Sequence, residues 1–430
     1  KYPAESIDND FSWARGLHPL VEAYYHYQPK PYNSPTWDPT AVLYAIEGEK
    51  WFNISEPGFI KVTDEGSTLF TPDGKGNRRY LMVTQEQIDA IRDRFVEVVT
   101  TPPAVFAGDR SIERIGATAC SSEFIYETAP FPSCHASTVL ETKDGLLAAW
   151  FGGPYESHPE VCIYSSSKTT EGWMEPVLVA DGIVSKTERY PCWNPVLYRL
   201  DNGDVALFYK VGPNPRAWWG EYKISKDDGK TWGERTPLPE GILGPIKNKP
   251  VRLEDGGVLC PTSVEFTPDK WRVFMEKADR DLSAWTRTEI DCGPFNAIQP
   301  TILFHEDSLR ILCRTQEGVV ASSASVDGGK SWSPLKATSI PNNNSGIDGV
   351  TCDDGLQLLV CNPLTKGRNK LILKGSYDGS EWKDLLTLED EPQGEFSYPA
   401  IIRRKNGMIE VTYTYNREKI KHRSIVITTK

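Results

Sequence analysis

A mainly β chain built from a repeated unit is what the sequence predicts, and three observations predict it. The first is a beat of two-residue turn signals at Asp144-Gly145, Asn202-Gly203, Asp255-Gly256, Asp307-Ser308, Asp354-Gly355 and Asn406-Gly407. By subtraction, successive first residues stand 58, 53, 52, 47 and 52 apart. The second is that apolar, β-prone runs flank each turn, as in STVLET and LLAAWF, VLYRL and VALFYK, or AIIRR and IEVTYTY, the pattern of a hairpin. The third is an octapeptide of the form S-x-D-x-G-x-[ST]-W. It occurs at Ser225–Trp232 and Ser325–Trp332, one residue short at Ser376–Trp382, and in degenerate forms ending at Trp173 and Trp285. Six repeats of about 50 residues, each with about four strands, describe a six-bladed β-propeller. An open sandwich would not need the fixed period.

Taken in order, residues 1–115 do not share this beat. Trp13–Tyr27 reads as a helix, with Leu17, Leu20, Val21 and Tyr24 near helical spacing, and Pro29–Pro35 breaks it. Asp38–Ile46 reads as a second helix, with Asp38 as N-cap and Pro39 at the first helical position;. Trp51–Thr63 and Thr68–Thr71 read as strand pieces, with a turn at Asp73-Gly74. Gln85–Val99 is amphipathic, placing Ile88, Ile91, Phe95 and Val98 on one face;. The stretches PLVEAYYHY, SPTWDPTAVLYAI and EPGFIKVTDEGSTLFTPDGKGNRRYLMV, about 70 residues in all, resemble the C-terminal portion of nucleoside hydrolases. In that family an Asp following an aromatic or His, here Trp37-Asp38, helps hold calcium. The family's N-terminal aspartate cluster, which supplies most ligands and the base, is absent. Residues 1–115 therefore read as an accessory α+β segment without nucleosidase activity, and 116–430 as the propeller.

Within the repeat, Ala297–Trp332 is the clearest copy. Ile298–Phe304 and Leu309–Thr315 are apolar strands around a turn, and Val319–Ser325 is a third strand leading into the octapeptide. There Asp327 can close a turn onto backbone N–H groups, Gly329 can take positive φ, and Trp332 can plug the space between sheets. Such an octapeptide, the Asp-box, marks architecture and not activity.

Composition bounds the partners. The chain has 430 residues, 25% charged and 39% hydrophobic, which suits more than one core. Its net charge of −11 argues against nucleic acid and anionic membranes, and no apolar run approaches a membrane span. An acidic ligand must therefore be held by a local basic cluster. Aromatics reach 11%, with 13 Trp, which fits a β-rich protein or a sugar-binding surface. The nine cysteines include Cys162, Cys260, Cys313 and Cys361 in apolar runs, where buried free thiols are expected. No CxxC or zinc spacing is present. Lys1 in place of an initiator Met leads us to expect that a signal peptide, a tag or a larger upstream piece was removed. The compartment stays open, a secreted or periplasmic one being favoured over the cytoplasm, and the oligomeric state is not fixed by sequence.

The six-bladed frame with Asp-boxes resembles the sialidase fold, and the resemblance covers residues 120–430. Sialidases open with Phe-Arg-Ile-Pro nine residues before the first turn's Asp, and that Arg is the first of three that bind the substrate carboxylate. Nine residues before Asp144 stands His135, in SCHASTVLETKDG. The family's acid/base Asp lies in the loop after the next strand. Here GGPYESHPEVCIYSSS offers Glu156, with His158 and Glu160 nearby. The second arginine ends the second strand of a later blade, and LRILCRTQEG supplies Arg314. The carboxylate that usually precedes this strand is missing, since Asn296 and Ala297 fall there. The third follows a strand ending in Asn-Pro, and LLVCNPLTKGRNKLIL supplies Arg368. The tyrosine nucleophile stands nine residues before the last turn's Gly, which is Tyr398 in EFSYPAII. The segments CHAST, AWFGG, CWNPVL, FYKVGP, GPIKNKP and TYTYNR also recur in a broader group of sialidase-like proteins.

These residue types suit the chemistry. Guanidiniums grip carboxylates bidentately, a neutral tyrosine is a sensible nucleophile beside an anionic substrate, and Glu156 or His135 can handle the proton. Further polar residues crowd the same strand ends: Arg189, Asn194, Lys210, Arg216 with Trp218 and Trp219, Lys247, Lys249 and Glu265. A basic funnel with tryptophans suits an anionic sugar; the Trp pair alternatively covers a seam between blades. The resemblance implies an exo-glycosidase of sialidase type acting on a terminal acidic sugar, sialic acid or a uronate, in a glycan or oligosaccharide. Tyr398 would be nucleophile, Glu156 acid/base, Arg314 and Arg368 the clamp, and His135 the replacement of the first arginine. A second reading is a polysaccharide lyase or rhamnosidase-type propeller using His and Tyr on uronates. A third is a non-catalytic glycan-binding propeller, which a wide separation of Tyr398 from the arginines would favour. No motif requires a cofactor or a metal.

Overall fold

The computed structural model describes residues 2–3, 19–29, 31–34, 37–100 and 111–429. The chain divides into two compact units, 1–109 and 110–430. In the first, helices span Pro19–Tyr27, Trp37–Glu47 and Gln85–Thr100. The early part of the helix expected over Trp13–Tyr27 and the Asp38 side chain lie outside the described residues. Thr84 starts the third helix with a capping box: its Oγ1 accepts from Gln87 N at 3.2 Å while Gln87 Oε1 accepts from Thr84 N at 2.8 Å;. Ile91 on that helix packs with Leu43 and Phe52. A ribbon of Gly58–Val62 and Thr68–Pro72 completes the unit with the short pair Asn53–Ile54 and Leu81–Met82.

The second unit is a six-bladed propeller. Each blade is an antiparallel sheet, and blades 2 to 5 have four strands joined in sequence order. Blade 1 starts at Ser133–Glu141, blade 2 at Cys192–Arg199, blade 3 at Val251–Arg252, blade 4 at Ala297–His305, blade 5 at Asp348–Thr351 and blade 6 at Phe396–Arg403. Apolar faces of neighbours mesh: Leu147 and Ile163 with Leu207, Val273 with Ile311, Leu373 with Val411. Each such side chain, fully buried, contributes roughly 1.5–3 kcal/mol. Blade 6 is closed by a strand from before blade 1, Ile115–Phe124 pairing with Lys419–Thr429. Fully buried His422 on that seam bridges Glu123 at 3.1 Å and Glu410 at 2.9 Å.

Because strands alternate in direction, the connections sort onto two rims. The turn dipeptides, between first and second strands, share one rim with the Asp-boxes, between third and fourth. There Asp327 accepts from Ser325 Oγ at 2.8 Å, Ser331 N at 2.9 Å and Ser331 Oγ at 2.6 Å. Those bonds hold its pKa down at about 2. Gly329 has φ 86°, and Trp332 packs on the core between blades 3 and 4. The other rim carries the loops between second and third strands and the entries to the first strands. At four of those entries the chain makes the same irregular step. Ala136, Asn194, Gln299 and Tyr398 have φ of 58°, 40°, 54° and 52°, each inside a break in strand register. A left-handed non-glycine residue costs about 1–3 kcal/mol. Four repeats of that cost fall on this one rim.

All nine cysteines are free. No helix among the described residues is long and apolar enough to cross a membrane.

Candidate active site

The left-handed step at Tyr398 turns its ring into the axis of the propeller, and the entry is braced from below. Lys247, itself left-handed at φ 68° and 3% exposed, donates to the carbonyls of Ile347 at 2.7 Å and Pro399 at 2.5 Å and to Asn248 Oδ1 at 2.8 Å. Gly346 leaves room for the phenol: a Cβ there would stand 3.3 Å from Tyr398 Cδ2. The Tyr398 hydroxyl then accepts from Arg314 Nη1 at 2.8 Å and Gln299 Nε2 at 3.3 Å. Arg314 is only 6% exposed. Its Nε and Nη2 donate to Asn344 Oδ1 at 3.0 and 2.8 Å, and Nη1 also reaches Gln299 Oε1 at 3.1 Å. The guanidinium is thus locked by two amides and aimed at the phenol oxygen.

Two further guanidiniums stand beside it, less buried. Arg368 reaches Glu395 Oε1 and the Asn344 carbonyl, both at 3.4 Å. Arg417 donates from Nε to Glu395 Oε1 at 3.0 Å and from Nη1 to Glu156. One carboxylate, Glu395, therefore sits between two arginines, and Glu156 caps the outer one. A substrate carboxylate can replace either acceptor, because guanidinium–carboxylate pairing is bidentate and charge-assisted.

His135 is not the third clamp. It is 1% exposed, and its ring lies under that of Tyr398, centroids 4.1 Å apart. Both ring nitrogens lack a hydrogen-bond partner among the described residues. Burial first, and then Arg417, Arg368, Arg314 and Lys247, push its pKa well below the usual range, so it is neutral;. The reason for the misplacement is register. The breaks align His135 with Ser397 and Ala136 with Tyr398. Nine residues counted from Asp144 start at the turn's first residue, whereas nine from Gly407 start at its second.

The remaining predicted residues divide. Lys210 is fully buried, donates to the Pro245 carbonyl at 2.9 Å, and is pulled down to about 7 by burial. It braces blade 2 and does not face a ligand. Lys247 is likewise internal. Lys249 pairs with buried Asp348 at 2.9 Å and the Gly349 carbonyl at 2.7 Å. Arg189 donates to Cys162 Sγ at 3.0 Å. Trp219 donates to Glu221 at 2.9 Å and packs on the core between blades 1 and 2, the seam role. Asn194 takes the left-handed entry of blade 2. Glu265 lies near the end of the second strand of blade 3 and pairs in register with Trp271, whose ring faces Arg314 at 5.8 Å.

Gln299, Asn344, Glu395 and Arg417 were not singled out from sequence. Gln299 had a signal: Asn194-Pro195, Gln299-Pro300 and Tyr398-Pro399 are the same X-Pro step in three blades. Arg417 follows a left-handed Asn416 in a three-residue loop, and nothing periodic marks it. Among the described residues no group of three or more His, Cys, Asp or Glu is arranged to hold a metal ion.

Residues 144–411 match the model of the BNR repeat-like domain. Among solved structures, a protein of unknown function from Dyadobacter fermentans is similar with a TM-score of 0.60 at 15% identity, over 73% of this chain and 100% of that one. A Hadza microbial sialidase gives 0.59 at 15% identity, over 68% of this chain and 65% of that one. The intramolecular trans-sialidase of Ruminococcus gnavus gives 0.55 at 15%, over 72% and 98%. No functionally curated protein matches the sequence.

Proposed function

We propose, for a chain that belongs to the BNR repeat-like domain family, the removal of a terminal acidic sugar from glycans. The fold is the sialidase-like propeller, and the neighbours that share it include sialidases. One observation carries the reading: a tyrosine hydroxyl at the propeller axis is bonded by a locked arginine at 2.8 Å, beside two half-exposed arginines that share one carboxylate. A sugar whose carboxyl lies next to the anomeric carbon can place that carboxyl on Arg368 and Arg417 and the carbon at Tyr398. The two N–H donors hold the phenol oxygen in place, and the attack on carbon takes over a lone pair from one of them as the phenol proton leaves;.

The short Arg314–Tyr398 contact weighs against a purely binding propeller. The burial of His135 weighs against the lyase reading, because that residue has no exposed nitrogen to take a proton from a sugar ring.

The test is mass spectrometry of products from the protein and its Tyr398→Phe variant, given sialylated and uronate-ended oligosaccharides together. Free acidic monosaccharide formed only by the unsubstituted protein is expected. A product lighter by one water would give the reaction to a lyase, and no product from either protein would defeat the proposal.

A further inference from the structure

Two carboxyl groups near the Arg314–Tyr398 pair have different surroundings. Glu156, on the loop between the second and third strands of blade 1, is tied to Arg417 in an ion pair and is 40% exposed. Glu265, on blade 3, is largely buried, and none of the described residues gives it a hydrogen bond or an ion-pair partner. A break in register between Glu265 and Thr267 ends the regular ladder there. Its cross-strand neighbour Trp271 is 7% exposed and lies against Arg314, which holds Tyr398. Glu265 is therefore linked to Tyr398 through Trp271 and Arg314. The charged groups that face Glu265 are Arg314 from blade 4, Arg216 from the blade 2 loop and Glu156 from the blade 1 loop.

Burial raises the Glu265 carboxyl above its ordinary range, Glu156 adds to this, and the two arginines oppose it without reversing it. Of the two, Glu156 is held in an ion pair with Arg417, and Glu265 has no such partner among the described residues; a carboxyl that no guanidinium ties up is the one suited to hand over a proton.

We infer that Glu265 is the proton donor to the leaving group, and that Glu156 positions Arg417 for the substrate. The inference rests on the glycosidase reading above. In the first half-reaction the Glu265 O–H gives its proton to the glycosidic oxygen as that C–O bond breaks. The Tyr398 oxygen bonds the anomeric carbon, and the phenol proton passes to water in the funnel. In the second half the Glu265 carboxylate takes a proton from the water that attacks the same carbon. The bond to Tyr398 breaks, and the phenolate recovers a proton from solvent. The sum is glycoside plus water giving acidic sugar plus alcohol.

The experiment compares an oligosaccharide, whose alcohol needs a proton to leave, with an aryl glycoside of the same sugar, whose phenol does not. In kcat/KM, which reports the first half-reaction alone, Glu265→Gln is expected to lose about 100-fold or more on the oligosaccharide and to stay within about tenfold on the aryl glycoside. In the unsubstituted protein, activity on the oligosaccharide falls as pH rises through the raised Glu265 pKa, and the aryl glycoside lacks that limb. Glu265→Ala is expected to turn over the aryl glycoside faster in formate, whose anion takes the proton from the attacking water in the second half-reaction, a rescue that a misfolded chain does not give. Equal loss on both substrates, no loss on either, or the selective loss appearing in Glu156→Gln instead would overturn the assignment. Absence of release from both substrates by the unsubstituted protein would defeat the glycosidase reading, and this assignment with it.

Discussion

On the rim of the turns, one hydrogen-bonding scheme is written several times. Ser225, Ser325 and Ser376 each donate to an Asp two residues on. On the opposite rim the loops between second and third strands run from two residues, 268–269, to eight, 154–161, and share almost nothing. The contacts differ in reach as well. Ser325 and Asp327 are two residues apart, whereas Arg314 and Tyr398 are 84 apart and Glu156 and Arg417 are 261 apart. Stability is therefore made locally and repeatedly on one rim, and the candidate site is assembled once, from distant segments, on the other. A residue on the second rim can change without disturbing the first.

That division can be broken by experiment. Tyr398→Phe is expected to cost about a thousandfold or more in kcat while thermal melting stays where it was; a lowered melting point would show that the site also holds the blades. Arg417→Met is expected to cost about a hundredfold in kcat/KM, again with unchanged melting. A variant in the wall between the rims should behave oppositely. Glu410→Gln removes one carboxylate from buried His422 and is expected to cost about 3 kcal/mol in denaturant unfolding, with kcat per folded molecule unchanged. The same seam predicts a pH dependence. Glu123 is held down at about 2, first by His422 and also by Lys168. Its contribution is therefore whole above the ordinary carboxylate value of 4.5 and is lost as pH falls from there through about 2;. Melting followed from pH 5 to 2 (about the range set by that shift) should flatten in Glu123→Gln. The smallest effect is expected from Asp327→Ala, which removes one octapeptide's internal bonds: a slight fall in melting temperature and no change in rate.

The same contrast explains what could be read before the structure. Turn dipeptides and Trp-ended octapeptides are local, so their residues stand next to one another in the sequence and the blades can be counted. Arg314, Arg368 and Tyr398 were singled out through the resemblance to sialidases, whose site positions can be counted from the turns and strand ends of that local pattern. Arg417 could not, since its partners come from residues 156 and 395 and no local geometry calls for an arginine after Tyr415-Asn416. Asn344 was hidden in Asn342-Asn343-Asn344, where three like residues give no hint that only the third turns its amide to Arg314. His135 shows the limit of counting: starting from the first residue of a turn in one blade and the second in another shifts the count by one, and one position along a strand exchanges the side facing the ligand for the side facing the core. The lysines of GPIKNKP look exposed by type, yet Lys247 is spent on carbonyls at the axis.

The seam that pairs Ile115–Phe124 with Lys419–Thr429 also sets the order in which the propeller can be completed during its own synthesis. Blades 2 to 5 are each complete in a single run of sequence and can form as they leave the ribosome. Blade 6 waits for the last strand, and its two contributions to the site, Tyr398 and Arg417, lie on the final fifth of the chain, opposite Glu156 from blade 1. A nascent chain thus carries a nearly whole scaffold whose candidate site stays incomplete until Lys419–Thr429 arrives to close blade 6.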